Sequence, residues 1–162
     1  MSRERQDLLS RSALGVFRLN GQFLGVAEEL VRPAGLTAAW WQVLGAVLSE
    51  PLPVSGIARA MGITRQSVQR VADLLVGKGL AEYRPNPAHR RAKLLTPTER
   101  GRAAVARIDP GHAAFADRLA EAYGEAELAE AVRLLERLSQ VLEKLEPPAR
   151  EPAAAAAPVM EP

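Results

Sequence analysis

The sequence predicts a mainly α fold in which a compact helix pair and a β-hairpin lie between long flanking helices. Three observations predict it. First, a short segment, Val54 to Met61, is closed by Gly62 and followed by a second segment that opens at Thr64. Second, two brief extended runs, 80–84 and 92–96, flank the loop Pro85-Asn86-Pro87-Ala88-His89-Arg90-Arg91. Third, both ends carry apolar residues at helical spacing: Leu8, Leu9, Val16, Leu19, Phe23, Val26 and Leu30 near the start, and Leu128, Val132, Leu135, Leu138, Leu142 and Leu145 near the end. The fold class that follows is a winged helix-turn-helix, α with a small β-hairpin wing, plus long dimerisation helices.

The first helix is expected over 4–31, ended by Arg32-Pro33-Ala34-Gly35, because proline blocks helix and disfavours it in the residue before. A second helix is expected from Thr37, a plausible N-cap, to Ser49, stopped by Pro51-Leu52-Pro53. In the helix pair, a small residue at Ala58 permits close approach and Gly62 permits the sharp turn. Thr64 can cap the next helix, expected over 65–78. Val68, Val71, Leu74 and Leu75 are expected to fill the crevice between the two helices. After the hairpin, Thr96 is expected as an N-cap, with Pro97 at N1 and Glu99 completing a capping box. That helix is expected to reach Tyr123, interrupted at Asp109-Pro110-Gly111. A last helix is expected over 125–145. The segment from Pro147 onward reads as a disordered tail, rich in proline and with little to bury. The expected organisation is therefore 1–34 and 98–146 for dimerisation, 35–97 for the winged domain and 147–162 for the tail.

Composition narrows the function. Apolar residues make up 48% and charged residues 25% of the 162, enough for a buried core, while only 4% aromatics favours helical Leu/Ala/Val packing. No cysteine is present, which removes disulfides, thiolate metal sites and cysteine nucleophiles. Two histidines far apart in sequence lend little support to a zinc site. There is no Gly-rich phosphate loop, HExxH or GxSxG, so the chain reads as a non-enzyme that needs no cofactor. No apolar run suits a membrane span, and the charged start lacks a signal-peptide core, which makes the cytoplasm the expected location.

The net charge of +2 hides an asymmetry. Residues 55–95 carry +6, whereas 117–146 carry −4. A basic middle beside an acidic end fits a polyanion-binding module on a scaffold that does not bind. The first turns after Thr64 hold Arg65, Gln66, Ser67, Gln69 and Arg70, and Gln66, Gln69, Arg70 and Asp73 share one helical face. Arg and Gln present forked donors and acceptors that suit base edges in the major groove of double-stranded DNA. A face chosen only for helix stability would more often hold Glu and Lys. His89, Arg90 and Arg91 at the hairpin tip suit phosphate or the adjacent minor groove. Alone they would read as a solvated loop. Beside an enzyme, a further rival class is a winged helix used only for protein–protein contact, whose mark would be an apolar or acidic face on the second helix.

The segment LPVSGIARAMGITRQSVQRVADLLVGKGLAEYRPNPAHRRAKLLTPTERG, residues 52–101, resembles the MarR family of winged-helix regulators. The likeness extends more loosely over 5–145. It implies a homodimer, with residues near both chain ends forming the dimer region and two winged domains reading successive major grooves of a pseudo-palindrome. It places Arg65, Gln66, Ser67, Gln69 and Arg70 on the recognition helix and Arg90 and Arg91 on the wing. It also implies a small-molecule effector, for which Phe17, Trp40, Trp41, His112 and Phe115 are the candidate lining residues. The sequence departs from the family pattern at Pro53, in place of a Ser/Thr-like cap, and at Pro87-Ala88-His89, where an acidic residue often precedes the wing arginines.

Overall fold

The computed structural model describes residues 2–145; the expected tail over 147–162 lies outside them. The order is α1 (Ser2–Val31), a single 3-10 turn (Arg32–Ala34), α2 (Ala38–Ala46), β1 (Leu52–Pro53), α3 (Val54–Met61), α4 (Arg65–Gly77), β2 (Ala81–Arg84), β3 (Leu94–Pro97), α5 (Glu99–Ala106), α6 (Asp109–Tyr123) and α7 (Glu125–Lys144). The chain divides into two compact units, one up to Phe115 and a second from Ala116.

In the first unit the core gathers on α2, α3, α4, α5 and the sheet. Leu44, Ile57, Val68, Leu75, Leu95 and Ile108 are fully buried. Each such side chain contributes on the order of 1.5–3 kcal/mol of transfer free energy. The spacing of Val68, Ala72 and Leu75 turns one face of α4 inward and leaves the opposite face in water. Leu74 does not join them: it is 46% exposed, one residue round the helix from the buried stripe. The expectation that it fills the crevice is corrected accordingly. α1 buries only Ala27 and Val31 near its end, and exposes Leu8, Leu9, Phe17 and Phe23.

The wing is a three-stranded antiparallel sheet in the order β1-β3-β2. Tyr83 pairs with Leu95 and Arg84 with Leu94; on the other edge Leu52 pairs with Leu95 and Pro53 with Leu94. The third strand was not expected. It is two residues long, and its proline lies on a sheet edge, where a missing N–H is tolerated.

One helix start and one helix end differ from expectation. Thr96 is buried in β3, and Thr98 caps α5, its Oγ1 accepting from Gly101 N at 3.2 Å. The strand continues to the Ala81–Pro97 pair, so Thr96 and Pro97 belong to the sheet, and Glu99 becomes the first helical residue. The predicted interruption near Pro110 is a full break: α5 ends at Ala106 and α6 begins at Asp109. α2 also stops at Ala46, three residues before the expected end.

The second unit holds the end of α6, Gly124 and α7. Gly124 joins the helices at φ 105°, a conformation open to glycine. α7 buries no side chain and exposes Val132, Leu135, Leu138 and Leu142 along one stripe. Arg133 donates to Glu130 on its surface and holds that carboxyl below its usual range.

Candidate nucleic-acid interface

The site is built on the turn between α3 and α4. Gly62 closes α3 at φ 64°, and its N–H and that of Ile63 both donate to the Ala58 carbonyl. Only a residue tolerant of the left-handed region makes this exit without strain. Pro53 stands at the N-cap of α3 and supplies no side-chain bond. Thr64 caps α4: its Oγ1 accepts from Ser67 N at 3.2 Å and donates to Ser67 Oγ at 2.9 Å. Thr64 and Ser67 thus fix the start of the helix, whose N–H groups carry a partial positive charge.

Arg65, Gln66, Gln69, Arg70 and Asp73 are all exposed. Across from them, Arg91 and Lys93 come from the hairpin. Arg65, Gln66, Gln69 and Arg91 line one cavity of about 630 Å³, together with Ser55, Asp73, Tyr83 and Lys93. The structure therefore brings four of the nine sequence-predicted residues to one cleft between α4 and the sheet. Arg70, His89 and Arg90 are exposed outside it. The hairpin tip is held by its own turn: Asn86 Oδ1 accepts from Ala88 N at 3.0 Å, and the Asn86 carbonyl accepts from His89 N at 3.2 Å.

Sequence reasoning missed Tyr83. Its hydroxyl donates to Asp73 Oδ1 at 2.5 Å and accepts from Gln69 Nε2 at 2.9 Å. Gln69 Nε2 also donates to Asp73 Oδ1 at 3.0 Å, which closes a ring of three side chains from α4 and β2. Burial and the neighbouring Asp73 carboxylate push the Tyr83 phenol up to about 12. Lys93 Nζ lies 5.8 Å from the centre of the Tyr83 ring. The signal available in the sequence was an aromatic residue between two charged ones, Glu82 and Arg84, in an extended run.

The predicted effector residues distribute differently. Trp41 and His112 meet edge to face, with ring centres 5.7 Å apart at 81°. Trp40 is half-buried against the core with Lys78 Nζ 5.8 Å from its ring. Phe115 is half-buried, and Phe17 is 68% exposed on α1. None of the five lines the cavity beside α4.

A family model for the MarR family matches residues 34–92, from the turn before α2 to the hairpin. An uncharacterized protein of Mycobacterium tuberculosis is 42% identical over 122 residues, covering 75% of this chain and 85% of that protein. The chain belongs to the MarR family of transcription regulators. Among solved structures, this MarR-family chain is similar to the transcriptional repressor CouR bound to a 23-mer DNA duplex, with 28% identity, a TM-score of 0.67, and 77% of this chain and 89% of that one covered. It is also similar to BpsR of Bordetella bronchiseptica, whose DNA binding is regulated by 6-hydroxynicotinic acid, with 25% identity, a TM-score of 0.68, and coverage of 80% and 98%. Among the described residues of the MarR-family chain, no helix is long and apolar enough to cross a membrane, and no cluster of three or more His, Asp or Glu could hold a metal ion.

Proposed function

We propose that this chain is a cytoplasmic, sequence-specific repressor that binds a pseudo-palindromic operator in double-stranded DNA as a homodimer and is released by a small-molecule effector. The observation that carries the reading is the cleft between α4 and the wing, where Arg65 and Gln66 on the helix face Arg91 and Lys93 on the hairpin. α4 is the recognition helix, with Thr64, Arg65, Gln66, Ser67, Gln69 and Arg70 toward the major groove. His89, Arg90 and Arg91 take phosphate or the neighbouring minor groove.

The dimer is supported by apolar surface that one chain leaves open. Leu8, Leu9 and Phe17 on α1 and Leu135, Leu138 and Leu142 on α7 are exposed. Runs of this kind mark protein contacts. Residues 1–34 and 98–146 form the dimerisation parts and 35–97 the reading part. Two copies would double a short half-site into a useful operator. The effector reading draws on BpsR and on the edge-to-face pair Trp41 and His112, with Phe17, Trp40 and Phe115 as the further candidate lining residues.

Binding-site selection from random duplexes, followed by titration in rising salt, tests the reading. The expected result is a two-fold-symmetric site whose affinity falls steeply with salt. Selection of no sequence, or binding indifferent to salt, overturns it and favours a protein-docking winged helix.

A further inference from the structure

The cations of the wing lie beyond its paired strands. Pairing ends at Arg84 with Leu94 on one side and at Pro53 with Leu94 on the other, and His89, Arg90, Arg91 and Lys93 lie within residues 85–93. The base of the hairpin is fixed by burial of Ala81 and Leu95. Its tip bonds to itself, through Asn86 to Ala88 and His89 and through His89 to Ala92. A loop tied only at its base swings against the body that carries it. Tyr83 is the tie further out. Its hydroxyl donates to Asp73 Oδ1 on α4 at 2.5 Å and stands 2.9 Å from Gln69 Nε2, and among the described residues no other side chain forms a hydrogen bond between α4 and the wing. Lys93 Nζ, on the returning arm of the loop, lies 5.8 Å from the centre of the Tyr83 ring.

We propose that Tyr83 is a positioning residue for DNA binding, which holds the wing cations at a set distance from the recognition helix and so fixes the spacing between the wing's contacts on DNA and those of α4. The inference rests on α4 being the recognition helix and 85–93 the wing. A chain of contacts runs from Asp73 on the helix through the Tyr83 hydroxyl and ring to Lys93. Arg91, two residues before Lys93, lines the same cleft as Arg65 and Gln66. The two sets of contacts must meet grooves whose spacing the duplex dictates, so a wing ordered beforehand binds with less loss of freedom.

Titration of a duplex found by site selection with wild type, Arg91→Ala, Tyr83→Phe and the double variant Tyr83→Phe, Arg91→Ala tests it, because Tyr83→Phe removes one oxygen and keeps the ring beside Lys93. Tyr83→Phe is expected to weaken binding about tenfold, the scale of one hydrogen bond to a charged group. Arg91→Ala is expected to weaken wild type about tenfold and Tyr83→Phe by less than about threefold, since the arginine there is already out of place. Hydroxyl-radical footprints are expected to show the cause: at saturation, Tyr83→Phe keeps the protection due to α4 and loses the protection that Arg91→Ala also removes. Asp73→Asn keeps an oxygen that accepts from Tyr83 and is expected to match the wild-type footprint, whereas Asp73→Ala is expected to follow Tyr83→Phe. That pair carries the test if Tyr83→Phe does not fold. An equal cost of Arg91→Ala in both backgrounds, or wing protection retained in Tyr83→Phe, overturns the inference and leaves the DNA reading intact. Protection lost from all positions together, along with a lower melting temperature, marks Tyr83 as a support of the fold and also overturns it. A wild type for which no duplex is selected overturns both.

Discussion

A Cβ placed on Gly101 would fall 1.9 Å from the carbonyl oxygen of Leu80. The helix that leaves the wing therefore crosses the backbone that enters it with no room for a side chain. The obstacle is backbone, and the same carbonyl accepts from Thr98 N at 3.1 Å, so it cannot simply turn away. Gly101→Ala is expected to cost about 3 kcal/mol, the upper end for overpacking. Urea denaturation measures it, and wild-type stability in the variant would contradict the close approach.

Tyr83 gives stability a signature at high pH. Its phenol is raised from the ordinary 10.0 to about 12, first by burial and then by Asp73. The folded state thus favours the protonated form. Its contribution is present in full below pH 10 and disappears as pH rises through about 12. Denaturation midpoints across this window are expected to fall more steeply in wild type than in Tyr83→Phe, and equal slopes would refute the assignment.

Wing and helix side chains are expected to fail differently. Arg90→Ala and Arg91→Ala are expected to weaken binding to all duplexes alike and to lower the salt slope by about 1 for each phosphate left without its cation. Gln66→Ala is expected to change the preferred base at its own position, by about 1–3 kcal/mol once the paired bonds to that base are gone. Binding titrations on matched and scrambled sites separate the two. A sequence-specific effect from the arginines, or a uniform one from Gln66, would reverse the roles.

The proposed dimer is testable apart from DNA. Leu138→Glu, on the exposed stripe of α7, is expected to shift sedimentation from dimer to monomer while helix content is retained. A wild-type monomer at micromolar concentration would leave that stripe without the role given to it.

Much of the first unit was legible because its signals are local. Gly62 and Thr64 stand within three residues of each other and announce both the turn and the cap. The cap of α5 was misplaced because Thr96 and Thr98 both precede Glu99, and only the cross-strand pairing of Thr96 with Glu82 tells which belongs to the sheet. Leu74 has the hydrophobicity of a core residue but sits one position from Leu75, and one position turns a helical side chain by about 100°. The Gln69–Tyr83 bond spans 14 residues and joins two element types, so no periodicity could foretell it. The same holds for β1, whose two residues acquire strand geometry only from β3.

Thr98 shows how narrow a single position can become. Its hydroxyl gives a hydrogen to the Gly79 carbonyl at 2.7 Å while receiving one from Gly101 N, and its own N–H holds Leu80. A carboxylate there could receive but not give, and an alanine could do neither. Serine keeps both capacities. Drift at this position is thereby confined to side chains that give and receive at once, because one oxygen atom links the exit of α4 to the beginning of α5.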